Sequence, residues 1–153
     1  MANLLESAAI AEAKGDLKCL IEILLKIIRI YPQKISYKAK LVESYLLANQ
    51  KDIARQYLNE VVASLKSEKR LNDLAAFYER IIELDPQNIK VINDCIKNYL
   101  ELKDAGKALR KISLLMPEFK ENKDILKLFL KAYEILGKQN KINIIQEKLK
   151  LCG

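Results

Sequence analysis

The amino-acid sequence predicts an all-α fold in which about nine helices, joined as antiparallel hairpins, stack into a solenoid; three observations predict it. Leu, Ile, Ala, Lys and Glu dominate the 153 residues while Gly and Pro number only 4 and 3, so helix formers abound and the residues that tight β-turns need are scarce. Apolar residues recur three and four positions apart, the spacing of one helix face. The pattern also returns at an interval. The residues one turn into successive second helices are Leu20, Ala54, Leu74, Ala108 and Ile142, separated by 34, 20, 34 and 34 residues.

Helices are expected at about 2–14, 17–30, 35–48, 52–66, 70–84, 88–102, 105–115, 121–136 and 138–151. Gly15 stops the first and Asp16 caps the second. In the second, Glu22, Lys26 and Arg29 form one polar stripe across the apolar run Leu20 to Ile30, and Tyr31-Pro32 ends it. The third carries Tyr45, nine positions before the Ala54 anchor; Leu65, Tyr99 and Tyr133 stand nine before later anchors, with Ala11 in the first hairpin. The fourth starts at Asp52, read as its N-cap. The 20-residue interval leaves no room for another hairpin, so this helix closes one pair and opens the next. The fifth, read as capped by Asn72, lies in the segment from Arg70 to Pro86, which repeats the form of Gly15 to Pro32. Asn88 and Asp104 are the expected caps of the sixth and seventh, and Gly137 stops the eighth. The ninth presents Ile142, Ile145 and Leu149, widened by Ile144, with no capping helix after it, so self-association or further chain is expected to cover that stripe. No linker divides the chain, which predicts a single repeat domain over 1–153.

Several function classes are excluded. The greasiest run is too short and too charged to span a bilayer, and no secretory leader pattern opens the chain; a cytoplasmic location is expected. Cys19, Cys95 and Cys152 are odd in number and far apart, and there is no His to join them, which argues against a metal site or a disulfide framework. Cys95 falls in an apolar register and reads as core. Without His there is no ordinary general base and no partner to activate a thiol, and Gly106 and Gly137 stand alone, so no glycine-rich phosphate loop exists. Asp85 and Asp104 occupy turn and cap positions. No catalytic residue and no cofactor is expected.

With Leu4, Ala8, Gly15, Asp16, Leu20, Leu24, Ile27 and Pro32 in the first unit, Leu41, Tyr45 and Ala54 in the second, and Pro86, Tyr99, Ala108, Tyr133 and Gly137 later, the chain resembles the tetratricopeptide repeat family. Val42, Val62, Ile96 and Leu130 depart from it, standing where the family prefers Gly or Ala. The resemblance implies a right-handed solenoid whose groove, lined by the first helix of each pair, docks a peptide or helix of another protein. Lys90, Asn93 and Lys97 share one stripe and Lys127 and Lys131 another, and the family's pattern turns both toward the groove. Lysines and an amide there suit an acidic or amphipathic segment. A purely solvating role for these lysines competes with that reading. Leu5 and Ala9 stand where the family's carboxylate clamp uses Lys and Asn, so that clamp is not expected.

Charge favours the C-terminal half: residues 1–68 hold ten basic and eight acidic side chains, residues 69–153 seventeen and twelve, for a net +7. On the early hairpins Leu5, Ala9, Ala39, Leu46 and Leu47 form an apolar patch, either core at the end of the stack or a dimer or partner surface. The leading function is a non-catalytic adaptor for a protein partner. A basic helical-repeat protein binding nucleic acid is the alternative, weakened by sparse Arg and the lack of an aromatic ladder.

Overall fold

The computed structural model describes residues 2–115 and 122–152. Among these it holds nine α-helices and no strand: α1 (Ala2–Lys14), α2 (Leu17–Ile30), α3 (Ile35–Leu47), α4 (Lys51–Ser67), α5 (Leu71–Leu84), α6 (Ile89–Glu101), α7 (Ala105–Ser113), α8 (Lys123–Leu136) and α9 (Gln139–Leu151). Glu121, where the eighth helix was expected to begin, lies outside the described residues; the other ends fall within two residues of expectation.

Two compact units emerge, Met1–Phe77 with Glu83–Asp85, and Tyr78–Ile82 with Pro86–Gly153. In the first, α1 packs on α2, α2 on α3 and α3 on α4, burying Leu24, Ile27, Leu41, Val42, Ala54 and Val61. In the second, α6, α7, α8 and α9 pack in order and α6 also touches α8, around Ile96, Ala108, Ile112, Leu126 and Ala132. Each unit thus covers helix faces that an isolated hairpin would leave wet. All five repeat anchors are buried.

The period is written most sharply in the backbone. Gly15, Asn49, Lys69, Lys103 and Gly137 all take left-handed φ, between +56° and +70°, each five residues before its anchor. At every one the same two bonds close the turn. The left-handed residue's N–H donates to the carbonyl three residues back, and the next N–H donates to the carbonyl five back, as in Asn49 to Leu46 and Gln50 to Tyr45. This pair of bonds defines the Schellman motif, which satisfies the orphan carbonyls at a helix end. The large residue nine positions before most anchors is therefore the one whose carbonyl accepts the longer bond.

The motif also corrects two expected caps. Asp52 and Asn72 lie inside α4 and α5, not at their N-caps, because the residue after each left-handed position already starts the next helix: Ala54 N–H bonds to the Gln50 carbonyl and Leu74 N–H to the Arg70 carbonyl. Asp16, Asn88 and Asp104 cap as read, and Asn122 caps α8; each accepts a backbone N–H two or three residues on.

Only Gly enters left-handed conformation freely, so Lys69 and Lys103 hold it at a cost of about 1 kcal/mol each. A Cβ at Gly137 would meet no atom within 4 Å, which isolates the backbone effect. Gly137→Ala is expected to lower stability by about 1 kcal/mol and Lys103→Gly to raise it by a similar or smaller amount, read as opposite shifts of the urea midpoint at constant slope.

Asp85 is more than a turn residue. It is buried, and its carboxylate pairs with Lys51 Nζ at 2.9 Å, tying the end of α5 to the start of α4. Cap chemistry alone does not account for it.

Candidate functional site

The helix-period apolar stripe of α6, with Ile92, Cys95, Ile96 and Tyr99, is buried, which leaves Lys97 exposed on the neighbouring face; α8 buries Ile125, Leu126 and Ala132 and leaves Lys127 and Lys131 exposed. Where α6 meets α8 a groove of about 620 Å³ opens. Leu100, Leu128 and Ile135 supply its apolar surface, Lys97, Lys103 and Lys131 its cations, and Glu101 and Glu134 its carboxylates. Lys97 and Lys131 are 34 residues apart and hold the same place in the repeat.

Of the five residues that the sequence places on the basic stripes, the groove therefore brings together Lys97 and Lys131. Lys90, Asn93 and Lys127 are not among its lining residues. Lys90 is engaged on its own helix, its Nζ 2.9 Å from Asp94. Asn93 is half-buried, and its side-chain oxygen has no hydrogen-bond partner among the described residues. The sequence places Glu134 beside Lys131 on α8, but the apolar floor and Glu101 were missed, since nothing in the pattern separates Leu100 and Leu128 from plain core.

The groove cations are uncommitted, as is Lys127 beside them on α8. Lys97, Lys103 and Lys131 make no ion pair among the described residues, whereas in the first unit Lys40 pairs with Glu12 at 2.7 Å and Lys38 with Glu60 at 3.0 Å. A second hollow, of about 450 Å³, lies against α7. There the Lys111 ammonium is held by Glu79, which also accepts the Tyr99 hydroxyl at 2.6 Å, and Lys107 sits 3.6 Å from Asp104 and over the Tyr99 ring at 5.7 Å. Those charges are already satisfied within the fold. Burial pushes the Cys95 thiol up to about 12, with Glu79 adding to the shift, so it is protonated and unreactive at neutral pH.

An exposed lysine that gains a carboxylate contributes roughly 0.2–1 kcal/mol, and burying one Leu-sized side chain roughly 1.5–3 kcal/mol. In such a groove the floor supplies affinity and the lysines supply selection. On the first unit, Leu5, Ala9 and Leu47 are exposed and Ala39 and Leu46 half-buried, with Ile10 and Ile53 exposed as well. Among the described residues no group of three metal-ligating side chains occurs, and no helix is long and apolar enough to cross a membrane.

No protein-family model matches the chain, and no curated protein matches it. Solved structures do. The MamA protein aligns over 97% of this chain and 88% of its own, with a TM-score of 0.53 and 14% identity. A putative kinesin light chain of Podosopora anserina with nearly identical TPR-like repeats aligns over 98% and 93%, with a TM-score of 0.50 and 12% identity. The fold is tetratricopeptide-like. The 34-residue spacing of anchors and of left-handed turns is the covalent counterpart of that likeness.

Proposed function

We propose that the protein is a non-catalytic tetratricopeptide-like adaptor that docks an acidic or amphipathic segment of another protein in the groove between α6 and α8. One observation carries this reading: two repeat-equivalent lysines without ion pairs flank a groove in which Ile135 is exposed over the buried Leu100 and Leu128. A groove of that kind meets a ligand's carboxylates with Lys97 and Lys131 and its apolar side chains with Leu100, Leu128 and Ile135. Lys90 and Lys127 stand outside the groove lining, where charge acts on encounter rate more than on residence. No reacting group is required, and the nearby thiol is held protonated.

The test is affinity capture with the full chain. A protein captured by wild type is expected to bind the Lys97→Glu/Lys131→Glu double variant about tenfold more weakly, while Lys14→Glu/Lys18→Glu, the same charge change at exposed residues outside the groove, leaves binding unchanged. Equal loss in both variants, or none in either, contradicts the groove. Retention of RNA on a filter with an affinity that falls steeply between two salt concentrations would instead favour nucleic acid.

A further inference from the structure

Beyond the presence of a docked segment, which rests on the reading above, we infer that the α6–α8 groove is electrically polar along its length and takes a segment of opposite polarity. Such a segment carries carboxylates at one end, a cation at the other, and an apolar anchor between them.

The arrangement follows from register. Lys97 precedes Glu101 by four residues on α6, and Lys131 precedes Glu134 by three on α8, about one turn in each case, or ~6 Å and ~4.5 Å. In a tetratricopeptide-like array, successive first helices run parallel, and Lys97 and Lys131 hold the same repeat position. Both lysines therefore lie toward the N-terminal end of the groove and both glutamates toward its C-terminal end. Lys103 also lines the glutamate end and partly offsets it, leaving one net negative charge there against two positive at the other.

The helix termini add independent support. Glu101 is the last residue of α6 and Glu134 stands in the last turn of α8, where the backbone carbonyls already concentrate negative potential and basic side chains are favoured. Helices α1, α2, α4, α7 and α9 follow that preference, ending on Lys14, Arg29, Lys66, Arg110 with Lys111, and Lys148 with Lys150. The two groove helices carry no basic residue in their last turns, and neither do α3 and α5; what sets the groove helices apart is that each places an exposed glutamate there beside the groove. Their glutamates are placed against the local electrostatic preference, and among the described residues neither has an ion pair to offset it. A cation brought by a ligand would complete that end of the groove, as carboxylates would complete the lysine end. Leu100 falls between the charged positions, with Leu128 one turn before Lys131 and Ile135 next to Glu134, and this apolar lining suits one aliphatic or aromatic side chain.

A displayed library of random 16-residue peptides, selected on the full chain, tests this. Enriched peptides are expected to hold acidic and basic residues separated by an apolar one. Their binding is expected to fall about tenfold or more in Lys97→Glu/Lys131→Glu and likewise in Glu101→Lys/Glu134→Lys. The variant carrying all four reversals, whose net charge equals that of wild type, should prefer the same peptides with acids and bases exchanged. All four side chains are exposed, and thermal melts of each variant confirm that folding is retained. Peptides that are wholly acidic, sensitive to the lysine reversals and unaffected or strengthened by the glutamate reversals would overturn the polarity while leaving the docking groove standing. Peptides indifferent to every reversal would overturn both.

Discussion

Raising the pH from about 8 to about 11 is expected to remove on the order of 3–5 kcal/mol of folding stability, estimated from 1.36 kcal/mol per pH unit for each group whose ionisation folding blocks. Three such groups sit together in the second unit. Burial raises the Cys95 thiol from 9.0 to about 12, and burial likewise holds the Tyr78 and Tyr99 phenols well above 10.0, with nearby carboxylates pushing the same way. The sign follows from proton counting: above pH 9 the unfolded chain releases the thiol proton, and above pH 10 the phenol protons, while the native state retains them. Stability from this source is complete below pH 9 and is lost as pH rises toward the native values. Urea midpoints at pH 8, 9.5 and 11 give the measurement. Cys95→Ala is expected to start less stable at pH 8 and to lose less between pH 9 and 11 than wild type.

Glu79→Leu alone is expected to cost about 3 kcal/mol, and Glu79→Leu with Lys111→Met to recover part of that loss, the remainder being the Tyr99 hydroxyl left without its acceptor. Glu79 is the hub of the cluster that joins α5, α6 and α7: its carboxylate takes the Tyr99 hydroxyl on one oxygen and the Lys111 ammonium on the other. The Lys111 side chain is only 16% exposed, so removing its counter-charge leaves an ammonium with little water to replace it. Replacing both partners by apolar groups removes the desolvated charge along with the bond, which is why the double change is milder than the single one. Equilibrium urea unfolding of the four members of this cycle, at one pH near neutrality, measures the coupling. Coupling near zero would mean that the pair contributes no more than an exposed one.

The sequence made the repeat legible and left its chemistry partly hidden, for physical reasons. Periodicity in Leu20, Ala54, Leu74, Ala108 and Ile142 reports burial, which all five share, and burial depends on residue size and register alone. Gly15 and Gly137 announced two of the left-handed turns because Gly favours that conformation. Lys69 and Lys103 did not, since Lys has no such preference and the surrounding hydrogen bonds impose the conformation on it. Counting five back from each anchor would have found them. Asp52 and Asn72 misled because capping residues were judged by type rather than by distance from the preceding turn.

For the candidate groove, Lys97 and Lys131 were legible from the helix stripes that they share with Lys90 and Asn93 and with Lys127. Which lysines are spoken for was not, because that depends on acids distant in sequence: Asp85 for Lys51, Glu79 for Lys111, Glu12 for Lys40. The floor was hidden for the opposite reason. Leu100 and Leu128 are nearly buried, and a sequence pattern gives a core leucine and one at the edge of a groove the same signature.

Amide NMR of the full chain, titrated with a segment of a captured partner, tests docking between α6 and α8 most directly. Shift changes centred on residues 97–103 and 128–135, and absent from the exposed α1 residues Leu5 and Ala9, are the predicted result. Saturable binding whose shifts fall on α1 and α3, with α6 and α8 unmoved, would contradict it.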